Sequence, residues 1–184
     1  MKKFFILLSL CMIGFTGYAQ SKGDMAVGIN LGAAPSLEKG AKVSNFGIGA
    51  KFQYNVTNPI RLEADLDYWF KDKGLDVFDI SANVQYIFKI MDKLNVYPLV
   101  GIGYGRIGGG VDFDEDDFDW YSTRAGYDFD YDDISTSLNR FLFNVGVGAE
   151  YNFTNKISAG IEIKYQYMQN FSRLPITIGA TYRF

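Results

Sequence analysis

Nine charged residues at even spacing carry the densest chemistry in this chain: Lys51, Arg61, Glu63, Asp65, Asp67, Glu150, Glu162, Lys164 and Arg183. Each falls at the polar position of an alternating apolar/polar segment, so each is expected on the same inner face. Paired carboxylates such as Glu63 and Glu162 could do general acid–base work. That chemistry wants a nucleophile or an imidazole beside them, and the chain has no His and a single Cys, Cys11. No catalytic residue is therefore assigned. Charges of both signs on one inner face must pair when buried. Lys51, Arg61, Glu63, Glu150, Glu162 and Lys164 are accordingly expected to form a plug of ion pairs. A turn centred near residue 57 would make Lys51 and Glu63 direct cross-strand neighbours.

A second feature is the acidic stretch within 107–138. From Gly108 to Ser135 it holds ten acids against one base, Arg124, a charge of -9, interleaved with Phe113, Phe118, Trp120, Tyr121, Tyr127, Phe129 and Tyr131. Asp114, Asp116, Asp128, Asp130 and Asp132 are candidate oxygen ligands for weakly held calcium, a hard cation that asks only for clustered oxygens. An EF-hand is excluded: Asp133 stands where its glycine must be and Asn139 where its bidentate glutamate must be. Charge with exposed aromatics suits an extracellular ligand or surface partner, whereas nucleic acid would be repelled. Gly103-Tyr104-Gly105-Arg106-Ile107-Gly108 matches G-x-G-x-x-G, but Gly109, Gly110 and acids follow instead of the helix that a dinucleotide site requires. Glycines that face inward in a narrow lumen explain it better. No cofactor is expected beyond that calcium.

The elements that position these residues are strands. Ile60 to Phe70 alternates most cleanly, with Ile60, Leu62, Ala64, Leu66, Tyr68 and Phe70 on one face and Arg61, Glu63, Asp65, Asp67 and Trp69 on the other. The same period runs through Asp24–Ala33, Phe46–Tyr54, Phe78–Lys89, Val96–Arg106, Asn139–Phe153, Ile157–Tyr167 and Leu174–Phe184, eight strands in all. Short turns at Asn55–Pro59, Met91–Asn95 and Thr154–Lys156 alternate with longer connections, and the short loop Met168–Arg173 leads to the last strand. The apolar face is the outer one, and its aromatics sort into two rims, as at the two interfaces of a membrane. The pattern predicts an all-β fold: an eight-stranded antiparallel up-and-down transmembrane barrel, with short periplasmic turns, longer extracellular loops and both termini periplasmic.

Met1 to Ala19 reads as a cleaved secretory signal peptide, with Lys2 and Lys3 before the apolar run Phe4–Phe15 and small residues at Gly17 and Ala19. The barrel domain is then 20–184. Removing Lys2 and Lys3 takes the net charge from -3 to -5, which leaves about +4 outside the acidic stretch.

The last strand, Leu-Pro-Ile-Thr-Ile-Gly-Ala-Thr-Tyr-Arg-Phe, puts Ile176, Ile178, Ala180, Tyr182 and Phe184 on one face and ends in an aromatic. In this the chain resembles the small OmpA/OmpX-type outer-membrane β-barrels. The resemblance implies a bacterial outer-membrane location, a monomer held in outer-membrane lipid, and an assembly signal at Tyr182 and Phe184 read by the barrel-assembly machinery. The expected role is structural or surface-interacting (adhesion or binding), with a small passive pore as the alternative. A membrane-embedded enzyme is the third reading, and the lack of His counts against it.

Overall fold

Period-two alternation governs every long segment, and it curls the chain into a closed sheet. The structure, a computed structural model, describes residues 22–37, 44–72, 75–109, 136–168 and 171–184. The leader Met1 to Ala19 lies outside the described residues. So do the acidic ligand candidates Asp114, Asp116, Asp128, Asp130 and Asp132.

The strands are β1 (Met25–Pro35), β2 (Ser44–Asn55), β3 (Ile60–Asp72), β4 (Leu75–Tyr86), β5 (Phe88–Lys89), β6 (Leu94–Gly109), β7 (Thr136–Asn152), β8 (Ile157–Met168), β9 (Phe171–Arg173) and β10 (Ile176–Arg183). Neighbours pair antiparallel in chain order, β10 pairs with both β8 and β1, and the barrel closes. Closure leaves no free edge to template aggregation. No helix occurs among the described residues.

Ten strands reduce to eight staves. β5 continues β4 against β6: Gln85 faces Leu99 and Phe88 faces Val96 without a change of register, and Pro98 stands in the gap. β9 likewise continues into β10 against β8, with Gln166 opposite Arg173 and Ile163 opposite Ile176, and Pro175 stands in that gap. Proline brings no N–H to a ladder, so the pairing lapses there while the chain keeps its course. Leu174–Phe184 was expected to be the whole last stave; instead the stave begins at Phe171, and Met168–Arg173 is a hairpin with Met168 opposite Phe171. Asp72 also faces Leu75, so two of the four connections at that end span two residues. The connection expected at 107–138 is shorter as well, because β6 runs to Gly109 and β7 starts at Thr136.

The outer face carries exposed Ile29, Leu66, Ile102, Val147 and Ile178, bordered by two rims of rings. Phe52, Tyr151, Phe153, Tyr182 and Phe184 lie toward the end of the short turns. Phe46, Tyr68, Phe70, Phe141, Tyr165 and Tyr167 lie toward the other. Edge-to-face pairs join Tyr151 to Phe153 at 5.1 Å and Tyr104 to Phe141 at 5.6 Å. The buried face is polar along most of its height, as in β3, where Arg61, Glu63, Asp65 and Asp67 are all buried. This is an inside-out arrangement that only an apolar surrounding stabilises. Arg at Leu66 or Val147, in the middle of the apolar band, is predicted to cost about 2–4 kcal/mol, against about 0–1 kcal/mol at the outer-rim position Asn139. Urea titrations of folding into lipid vesicles measure the difference; equal costs would show that this band does not face lipid.

Candidate functional site

The lumen is built from alternate residues of all eight staves, and four ion pairs among the described residues cross it, three at mid-height and one, Arg173 with Asp79, toward the loop end. Arg61 on β3 reaches Glu150 on β7 at 2.8 Å. Lys51 on β2 reaches Glu162 on β8 at 3.1 Å. Lys164 on β8 reaches Asp65 on β3 at 2.9 Å. An eight-stranded barrel is just wide enough for side chains to meet in this way.

The six residues expected to plug the lumen are all buried and all ion-paired, but the expected register is wrong. Lys51 stands directly opposite Asp65, and Glu63 stands opposite Gln53. Asn55 remains in the ladder opposite Arg61, so the turn centres on residue 58 rather than 57. Moving the centre by one residue moves every partner by two, which keeps both side chains on the inner face. Lys51 still contacts Glu63, diagonally, at 3.4 Å. Lys51 thus bridges Glu63 and Glu162, while Lys164 bridges Asp65 and, at 3.9 Å, Glu162. Neutral side chains complete the shell: Gln53 and Gln85 donate to Glu63 at 2.7 and 2.8 Å, Tyr97 donates to Glu162 at 3.1 Å, and Asn83 donates to Asp65 at 2.9 Å.

Below this layer, toward the short turns, Glu150 also faces Arg183 at 3.8 Å, and the Arg61 guanidinium lies 4.9 Å from the Tyr97 ring centre. Above it, Arg173 pairs with Asp79, stacks on Trp69 at 4.9 Å and bonds Gln166. The Trp69 indole N–H donates to the same Asp79 carboxylate at 3.0 Å. Asp79, Tyr97 and Arg173 were not among the residues picked out by charge spacing. Asp79 has the inward parity of β4, whereas Arg173 was hidden by Pro175, which makes the stave look three residues shorter than it is.

Apolar layers close the polar stack. Ala34, Trp69, Val77, Ile107, Leu142 and Met168 fill the loop end, and Ile87, Tyr97 and Leu99 form a smaller cluster toward the turns. The inward glycines make room for the largest rings. A Cβ on Gly47 would lie 2.6 Å from the Trp69 ring, and one on Gly148 would lie 2.5 Å from the Tyr97 ring. A small polar cavity remains among Lys51, Tyr97, Glu150, Glu162, Thr177 and Thr181, about 10 Å³ in volume, room for about one water.

Among the described residues the buried charges are four cations (Lys51, Arg61, Lys164, Arg173) and six carboxylates (Glu63, Asp65, Asp67, Asp79, Glu150, Glu162). Oxygens of Glu63, Asp65 and Glu162 lie within 4.8 Å of one another, a spacing that suits a metal. The Lys51 and Lys164 ammonium groups already contact those carboxylates. The terminal aromatics Tyr182 and Phe184 point outward and are exposed, with Tyr182 opposite Val27 and Ile157 and the Phe184 N–H bonded to Met25 O at 3.0 Å.

Replacing Lys164 with Met leaves Asp65 and Glu162 short of a counter-charge and is predicted to cost about 3–5 kcal/mol. Adding Asp65→Asn to Lys164→Met should recover part of that loss, because it removes the charge left behind. Urea titrations of the two single variants and the double variant give the coupling. Additive losses would mean that the pair carries no stability of its own.

The sequence of residues 5–184 matches the family model described as the outer membrane protein beta-barrel domain. Among solved structures, Neisserial surface protein A superposes with a TM-score of 0.69 at 13% identity, over 87% of this chain and 97% of that one. Ail, the attachment invasion locus protein of Yersinia pestis, gives 0.60 at 18%, over 89% and 99%; it has also been solved in complex with the heparin analogue sucrose octasulfate. The N-terminal barrel of Pseudomonas aeruginosa OprF gives 0.55 at 15%, over 90% and 100%. A search of curated proteins found no match. With a closed eight-stave barrel, a polar interior and a family match over nearly its whole length, this chain belongs to the outer-membrane protein β-barrel family.

Proposed function

We propose that this outer-membrane barrel is an anchor that presents its acidic, aromatic segment 107–138 to a surface partner. The observation that carries this reading is the filled lumen. Four ion pairs among the described residues cross it, apolar clusters lie toward either end, and the cavity beside Lys51, Glu150 and Glu162 admits about one water. Such a lumen is a poor conduit, so a passive pore is the weaker reading, and the role falls to the surface.

The sign of the charge selects the partner. A segment at -9 repels a polysulfate of the kind solved with Ail. A basic protein surface fits, as does calcium bridging through Asp114, Asp116, Asp128, Asp130 and Asp132 in the roughly 10⁻⁴–10⁻³ M range of extracellular modules. Aromatic side chains between the acids supply the apolar contact area that a binding surface needs.

Deleting Val111 to Ser135 is expected to leave a heat-modifiable barrel while abolishing binding of a basic probe protein to cells or nanodiscs. Retained binding, or porin-sized conductance of the intact protein in planar bilayers, would overturn the reading. Limited proteolysis at Trp120 and Tyr127 with and without calcium tests the bridging: protection is expected, and identical cleavage excludes it.

The assembly role of Tyr182 and Phe184 belongs to the same proposal and has its own test. Deleting Phe184 should reduce outer-membrane assembly in cells far more than folding in detergent. Normal levels of folded barrel in cells would remove the terminal aromatic as a signal.

A further inference from the structure

We propose that Lys93 and Lys156, at the periplasmic tips of two adjacent turns, hold the anionic phosphate headgroup of a phospholipid in the leaflet facing those turns. The two tips are fastened together: the Asn152 backbone N–H donates to Lys93 O at 2.7 Å, and its side-chain amide approaches the same oxygen at 3.5 Å. Each turn is closed on itself, by Met91 N–H to Leu94 O at 3.1 Å and by Phe153 N–H to Ile157 O at 3.0 Å. Hydroxyl acceptance at Thr154, from the N–H groups of Lys156 and Ile157, fixes the second tip further. The two ammonium groups are therefore carried on a common, braced edge.

Both lysines are exposed, and neither forms an ion pair with another described residue. The nearby cations do have partners. Lys89 takes Asp92 at 3.4 Å, and Arg183 takes Glu150 and Asp24 and donates to Asn155 O at 3.1 Å on the Lys156 turn. Asp92, the carboxylate next to Lys93 in the chain, is taken by Lys89, so the charges of Lys93 and Lys156 are not spent in ion pairs with other described residues.

The flanks are greasy where a turn in water would be polar. Ile90, Met91 and Phe153 are all exposed, Met91 at 65%, and Tyr151 packs edge-to-face on Phe153. Apolar tips beside lysines suit the boundary between acyl chain and headgroup, where the hydrocarbon faces the rings and the phosphate faces the ammonium groups. Free phosphate would use the lysines and leave Ile90, Met91 and Phe153 unmatched, so the apolar flanks select a lipid. The -9 segment is joined to the other end of the barrel, at Gly109 and Thr136, so the rim that carries Lys93 and Lys156 is the one without it in sequence.

The test uses the mature chain folded into nanodiscs of phosphatidylcholine with phosphatidylglycerol, with native mass spectrometry counting the lipid retained. Each lysine near an anionic surface should contribute about fivefold, so the Lys93→Gln, Lys156→Gln double variant is expected to lose about 25-fold in phosphatidylglycerol retention. Arginine at both positions should restore it. Lys22→Gln, at another point of the same rim, should change little; an equal loss there would mean diffuse attraction and overturn the site. Displacement of the lipid by millimolar inorganic phosphate would assign the site to free phosphate and overturn the lipid. The wild-type protein gives a check that depends on no variant: phosphatidylglycerol, against phosphatidylcholine alone, should shield Lys93 and Lys156 but not Lys22 from an amine-acylating reagent. Equal labelling in both lipids overturns the proposal.

Discussion

An unpaired backbone N–H or C=O in hydrocarbon costs several kcal/mol, and the fold follows from avoiding that cost. The pairing of β1 with β10 removes the last open edge, from Ala26 opposite Arg183 to Ala33 opposite Ile176. Once the sheet is closed, the pleat gives each stave one face to lipid and one to the lumen. The lipid face is then filled with Ile, Val, Leu and aromatic side chains, and everything polar is confined to a cylinder a few side chains wide. The charge network is a consequence of that confinement: ten charged side chains among the described residues are buried in the lumen, and the cavity beside Lys51, Glu150 and Glu162 has room for about one water.

The balance of that network is uneven. With six carboxylates against four cations among the buried described residues, one-to-one pairing cannot reach every acid; Arg61 and Arg173 each take one, and the two lysines each contact more than one. Glutamine, asparagine and tyrosine donors take up part of the remaining acceptor capacity. Asp67 is the exception. It lies across from Asp79, whose charge is taken by Arg173, and it forms no ion pair with another described residue. Its neighbour over Gly49 is Asn30, an amide that serves as donor or acceptor according to its orientation.

The barrel was legible in the sequence because its strongest constraint is also its simplest pattern. A period of two, repeated eight times, gives the faces without knowledge of any contact, and Lys51, Arg61, Glu63, Glu150, Glu162 and Lys164 could be placed inside by parity alone. Partner choice was less legible. The Lys51–Glu63 assignment rested on the centre of one turn, and a single extra ladder residue, Asn55, was enough to exchange Glu63 for Asp65. Arg173 was missed for a different reason. Proline normally marks the end of a strand, but at Pro175 the stave passes through it without losing register, and the inward parity reaches back to Phe171–Arg173. Tyr97 and Trp69 show a third limit, since the glycines that admit their rings, Gly148 and Gly47, lie on other strands and only the register brings ring and gap together.

The cross-lumen pairs join residues far apart in the chain: 51 with 162, 61 with 150, 65 with 164, and 79 with 173. A growing sheet of the first few staves holds Lys51, Arg61, Glu63 and Asp65 on one wall with the opposite wall missing. Those side chains stay hydrated until β8 arrives, and no local contact rewards their partial burial. Such long loops make the closing step slow and concentrate the gain in a single late event. The partly built sheet keeps a wet, charged face that holds it back from the hydrocarbon, and the same event that seals the wall dries the charges. Commitment to the membrane interior and completion of the barrel are in this way one transition.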